Sequence, residues 1–143
     1  MPLASEIAQR LVDQNVGGLP GTTDVTDNTY TVMQGFLPAA PDRVVAVYET
    51  GGYPPEVQPE MDYPTFQVRV RTAAWEYSSG RARLELARLA LHGVTNTTLN
   101  STAGTAWTYV SILAAGDALA VGLDANNRPE FTLNFEAVRS RTT

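Results

Sequence analysis

The sequence predicts an α+β fold, with one mostly antiparallel sheet in the order αβββαββ and both helices packed on one face. Three observations carry this. Residues 63–71 alternate, with Phe66, Val68 and Val70 against Gln67, Arg69 and Arg71, and a period of two puts the first set on one face of a sheet. After Trp75 the period becomes helical: Arg81, Glu85, Arg88 and His92 form one polar stripe. Near the chain's start, Leu3, Ile7, Leu11 and Val12 keep the spacing of a second buried helical stripe, with Glu6, Gln9, Arg10 and Asp13 on its other side.

Taken in order, residues 2–15 are the first helix, opened by Pro2 and ended by Gly17-Gly18. Residues 17–28 are turn chemistry throughout. The first strand is 29–36, with Tyr30 and Val32 on one face and Met33 on the other, closed by Pro38 and Pro41. The second, 43–49, carries Val44, Val45, Ala46 and Val47 without alternation, which reads as a central strand covered on both faces. Residues 50–62 form a loop with Gly51-Gly52, Pro54-Pro55 and Pro59. The third strand and the long helix follow. Ala82, Leu84, Leu86, Ala87, Leu89, Ala90 and Leu91 make that helix apolar over more than half its circumference, beyond the arc of about 100° that one sheet needs. The surplus is expected to be covered by the first helix.

Gly93 suits the position just past this helix. Residues 95–105 form a polar Asn/Thr/Ser loop, and 106–115 are a fourth strand with Trp107, Tyr109, Val110 and Ile112. Residues 116–129 connect, turning at 124–127, and the alternation of Leu119, Val121 and Leu123 lets part of this stretch extend the strand. The last strand is 130–138, with Phe131, Leu133 and Phe135 on one face. Residues 136–143, ending R-S-R-T-T, are expected to be a mobile tail.

A chain of 143 residues is expected to be one domain, burying roughly two-thirds of its unfolded surface. Hydrophobic residues make up 43% and charged residues 17%, so the core is ample while surface charge is low. Low surface charge fits a protein that covers itself with neighbours. A net charge of −5 excludes a global basic field for nucleic acid. The absence of cysteine removes disulfides, thiol catalysis and thiolate zinc sites together. Residues 1–6 lack the basic and apolar regions of a signal peptide, and no apolar run reaches the roughly 20 residues of a membrane helix.

Reactive constellations are scarce. Asn96 and Asn100 begin two glycosylation sequons in one loop, which without a signal peptide read as ordinary turn residues. Asp24, Asp27 and Asn28 miss the spacing of a calcium loop. Gly17, Gly18 and Gly21 follow a helix rather than a strand, so they do not make a phosphate turn. Glu56, Glu60 and Asp62 could serve as an acidic binding or acid/base set on the proline-rich loop, against the plainer reading of solvated charge. His92 lies at a helix end, where a cation favours the dipole. No catalytic, cofactor or metal residues are assigned. Arg69 and Arg71 carry more information: on an uncovered sheet face they meet solvent, a lumen or a neighbour. Tyr53, Pro54 and Pro55 put an exposed aromatic and rigid prolines on a long loop, a common means of reaching another protein.

Three segments, Y-E-T-G-G-Y-P-P at 48–55, Y-P-T-F-Q-V-R-V-R at 63–71 and N-R-P-E-F-T-L-N-F at 127–135, resemble the minor capsid or tail-terminator family of tailed bacteriophages. The likeness runs from the first helix to the last strand and rests on the order and spacing of the segments. It implies a sheet with helices on one side and a structural role in the virion. Such proteins cap the growing tail tube of a long-tailed phage and join it to the head-side connector, usually as a ring of six. The implied partners are further copies of the chain, the tube protein, the connector or stopper, and DNA passing a lumen without specific binding. No cofactor or membrane is implied. Residues 51–55 become a contact loop, and Gln67, Arg69 and Arg71 become ring or lumen candidates. Two alternatives stand beside this role: another head–tail adaptor or minor capsid protein, and a small soluble binding domain using the acidic loop 56–62.

Overall fold

Helix α1 spans Leu3–Asp13 and buries Leu3, Ile7 and Leu11 of the expected stripe, while Val12 is only partly buried and Ala4, Ala8 and Glu6, the last expected on the other side, are buried as well. Its first turn is anchored where the Ala4 amide donates to Glu49 Oε1 at 3.0 Å, a carboxylate placed at the positive end of the helix. The computed structural model describes residues 3–20, 30–56, 61–99 and 106–142.

The strands are β1 (Thr31–Gln34), β2 (Val44–Glu56), β3 (Met61–Arg71), β4 (Val94–Thr98), β5 (Ala106–Ala114), β6 (Leu119–Leu123) and β7 (Pro129–Thr142), with α2 (Tyr77–Leu91) between β3 and β4. They form a curled half-barrel in the order β1-β2-β3-β7-β5-β4, and β6 also pairs with β7. The observed order αβββαββββ corrects the expected αβββαββ, since β4 and β6 are additional strands. The sheet is mixed. β1 runs parallel to β2, and the other pairings are antiparallel. β5 and β6 lie along the same side of β7, so they form one long strand broken at residues 115–118, where the Ala115 amide still reaches the Asn134 carbonyl at 2.8 Å.

The alternating residues of β3 and β7 supply the core. Phe66, Val68, Val70, Phe131, Leu133 and Phe135 are buried together with Ile7 and Leu11 of α1 and Leu84 and Leu91 of α2. Phe66 and Phe135 oppose each other across the two strands and stack at 5.0 Å. Each such ring, fully buried, contributes roughly 1.5–3 kcal/mol. Gly93 has φ +88°, the left-handed residue that ends α2.

Four further expectations are corrected. Residues 50–56, expected as loop, continue β2, so β2 and β3 make a long hairpin. The expected mobile tail meets a strand that continues to Thr142, paired with β3 and β5. The surplus apolar arc of α2 is not covered by α1: Leu86 is exposed and Leu89 is 67% exposed. The expected polar loop 95–105 is strand up to Thr98, and its remainder from 100 lies outside the described residues, as do Asp24, Asp27, Asn28 and Glu60.

Candidate interaction surface

β3 and β7 are buried on one face by alternate residues, and the residues of opposite parity form the second face. Gln67 stands opposite Asn134 there, and its Nε2 donates to Asn134 Oδ1 at 3.0 Å. The Thr50 and Thr65 hydroxyls meet at 2.7 Å. Tyr53 donates from its hydroxyl to Glu136 Oε1 at 3.2 Å, and accepting that bond leaves the carboxylate holding the Tyr53 pKa above its ordinary value. Arg69 lies over the Tyr48 ring at 5.5 Å, a cation on an aromatic face. This face is therefore a ladder of neutral and paired polar groups. Cross-strand pairs of this kind stabilise a sheet by roughly 0.2–1 kcal/mol each, and they present a regular, lightly charged surface.

The hairpin tip bears the other candidates. Gly51 and Gly52 have φ +89° and +132°, and between Glu49 and Gly52 the pairing with β3 slips. A side chain at Gly52 would put Cβ 2.8 Å from Pro64 Cα, so only glycine fits this bulge. Beyond it, Tyr53 is 60% exposed and Pro54 and Pro55 are exposed. A hollow of about 190 Å³ opens beside them, lined by Tyr53, Pro55, Asp62, Tyr63 and Arg139 among others.

Arg71 lies elsewhere than expected. It is only 3% exposed, and its guanidinium donates to the carbonyls of Pro38, Pro41 and Asp42 at 2.6, 2.7 and 3.0 Å. Burial, with Arg128 nearby, lowers its pKa. It holds residues 38–42 against the sheet. Arg128 continues the same staple to Asp124, Asp42 and the Ala39 carbonyl. Arg69 and Arg71 share one face of β3, as the alternation predicts, but Arg69 stays with the ladder while residues 38–42 cover Arg71.

The acidic set is not brought together as a free cluster. Asp62 faces Arg139 at 3.6 Å, Glu56 ends β2, and Glu60 is outside the described residues. No group of three or more metal-ligating side chains occurs among the described residues. His92 Nδ1 accepts from the Ala114 amide at 2.9 Å, a bond that ties the end of α2 to β5.

Several features escaped the sequence reading. Trp75 is 71% exposed with φ +66°, held by its amide on the Asn127 carbonyl. All five residues of β6 are exposed. The alternation of Leu119, Val121 and Leu123 signalled that strand but not its exposure, since an apolar run reads as buried unless the neighbours that would cover it are known.

The described surface thus carries a ladder of polar cross-strand pairs, a bulged hairpin and exposed apolar side chains. The chain belongs to a bacteriophage tail terminator protein family, whose model matches residues 4–141. It is thus a structural tail protein of a phage virion. Among solved structures it is similar to a chain of the virion of a native gene transfer agent particle, with TM-score 0.67 and 17% identity over 98% of this chain and 95% of that one. That likeness is one of fold. No curated protein sequence matches the chain.

Proposed function

We propose that the chain acts as a single domain and is the subunit of a ring, a hexamer, that caps the tail tube and joins it to the head-side connector or stopper. The observation that carries this reading is the family match over residues 4–141. The mechanism is steric and interfacial. The ring matches the end of the tube, blocks further addition of tube subunits and offers a new surface to the connector. Tyr53, Pro54 and Pro55 are the contact tip, and Gln67 and Arg69 belong to a ring or lumen face. Arg71, on the same face, is covered by residues 38–42 and holds that segment in place. A net charge of −5 lets DNA pass without adhering.

Replacing Tyr53, Pro54 and Pro55 together by alanine tests the contact tip. The tip is exposed, so the melting temperature should change little, while the yield of infectious particles falls at least tenfold in complementation. A wild-type yield from the triple variant removes these residues from the interface. The pairing of Asp62 with Arg139 leaves the acidic-loop binding domain without a free carboxylate cluster to support it among the described residues.

A further inference from the structure

The two faces of the β3–β7 pair look onto different surroundings. On the buried face, Leu84 and Leu91 of α2 pack with Phe66 and Phe135. The helix turns its opposite side outward. Ala82, Leu86 and Leu89 recur at intervals of four and three residues and are exposed, so they form one apolar ridge. By the same spacing Arg81, Glu85 and Arg88 flank the ridge on one side and Arg83 on the other, where Arg10 of α1 joins it.

The charges around the ridge are unlike those of the whole chain. Arg83 and Arg10 donate to the carbonyls of Val16 and Ala90 at 3.0 and 3.2 Å, bonds that hold a guanidinium without cancelling its charge. Arg81 and Arg88 share Glu85, and Arg81 also meets Asp117. With Asp13 at the end of α1, four arginines stand against three carboxylates. The helical side is therefore positive in a chain of net charge −5.

The far face of the sheet has the converse makeup. Leu113 of β5 stands opposite Glu136, and Leu119 of β6 opposite Thr132. Positions 132, 134 and 136 of β7 share one face, so both leucines lie on the face of the Gln67–Asn134 ladder. Leu113 is 49% and Leu119 63% exposed. Four residues of strand separate their partners, about 13 Å, and the seven residues from Ala82 to Leu89 span about 10 Å of helix. Glu130 and Glu136 outnumber Arg69 on this face, where Arg71 is covered.

A ring needs two unlike surfaces on different sides of one subunit. The ridge and the leucine stripe are apolar along the middle, similar in length and opposite in charge at the rim, and they lie on opposite sides of the sheet. The outer edge of β1 is taken by Gly18, which pairs in parallel with Thr31, so a continued sheet is not available there.

We propose that the Leu86–Leu89 ridge of each copy docks on the Leu113–Leu119 stripe of the next copy, with the arginines of α2 set toward Glu130 and Glu136. A second copy is the occupant because one chain carries both halves of the fit. This rests on the ring reading above and names the surfaces that close it.

The absence of cysteine makes the test direct. Leu86→Cys or Leu89→Cys is combined with Leu113→Cys or Leu119→Cys. The four double variants complement a phage deprived of the gene, and purified particles are treated with a short bismaleimide. Within one chain a helix roughly 10 Å across and the sheet stand between the two thiols, so a link joins two copies. The expected result is covalent dimers and a ladder above them from at least one pair, and none from any single variant. Leu89→Glu alters a side chain that is already exposed, so the purified chain should melt as the wild type does while the yield of particles falls at least tenfold. Quantitative mass spectrometry of the particles gives the number of chains in each. Several chains per particle with no ladder from any pair overturn the contact and leave the ring standing, as does a full yield from Leu89→Glu. One chain per particle overturns both.

Discussion

Glu6 lies on the buried side of α1, only 1% exposed, and its Oε2 has no hydrogen-bond partner among the described residues. Burial raises its pKa above the ordinary 4.5, and the nearby Tyr109 hydroxyl and Arg139 guanidinium oppose the rise without cancelling it. The folded protein thus holds this proton more tightly than the unfolded chain does. The stability contributed through Glu6 is complete below the unfolded value and is lost as pH rises through the folded one. Glu6→Gln, which mimics the protonated acid, should therefore melt above the wild type at pH 7, and the gap should close toward pH 4. Thermal melts across that range check it, and a gap of constant size contradicts the assignment. The helical spacing alone could have placed Glu6 at the flank of the Leu3–Ile7–Leu11 stripe. Its charge sent it to the polar side instead, because a carboxylate is rarely buried without a partner. Arg71 misled in the same way: strand alternation placed it correctly beside Arg69, but no pattern within 63–71 reveals that Pro38, Pro41 and Asp42 return to take its hydrogen bonds.

At the scale of elements, α2 is pressed onto β7 through Gly80. A Cβ there would lie 2.8 Å from Phe131 Cε2 and 2.9 Å from Thr72 Cγ2. Alanine for glycine inside a helix normally gains about 1 kcal/mol, but overpacking a rigid core costs about 1–3 kcal/mol. Phe131 is fully buried and wedged edge-on against Tyr77 at 4.9 Å, so it cannot yield easily. Gly80→Ala should therefore lose about 1 kcal/mol in denaturant unfolding, and a gain of stability would contradict this packing. β3, α1, α2 and the start of β7 were legible because each has one wet and one dry face, and a period records that contrast. β4, V-T-N-T-T, is mostly exposed and so carries no such contrast. The Gly-Gly and Pro-Pro of residues 51–55 are turn chemistry, yet they sit in a bulged hairpin whose pairing resumes beyond each slip. The unbroken Val44–Val47 run was read rightly as covered on both faces: all four residues are buried, with residues 38–42 held nearby on the side of Arg71.

At the scale of the whole molecule, exposed apolar groups occur on β6, on the outer arc of α2 and at Tyr53, and also at Leu19 and Phe36 on either side of β1, at Trp75 and at Val110 and Leu113 of β5. A free-standing protein gains nothing by exposing Leu89, Leu119 and Tyr53 together, whereas a subunit that is covered by neighbours does. The candidate surface was half legible. The exposure of Tyr53, Pro54 and Pro55 and the shared face of Gln67 and Arg69 were legible in the sequence, while the strand that carries the first three, the exposure of β6 and the buried place of Arg71 depend on contacts between segments far apart in the chain. Stopping the growth of a tail tube is the role proposed for this subunit. The most direct measurement is the distribution of tail-tube lengths, by electron microscopy, in lysates of the phage deprived of this gene. Tubes of uncontrolled length beside filled heads without tails are expected, restored to one length when the gene is supplied. Free tails of normal, uniform length beside the heads would contradict termination and assign the chain to head–tail joining alone, and intact infectious particles would contradict both roles.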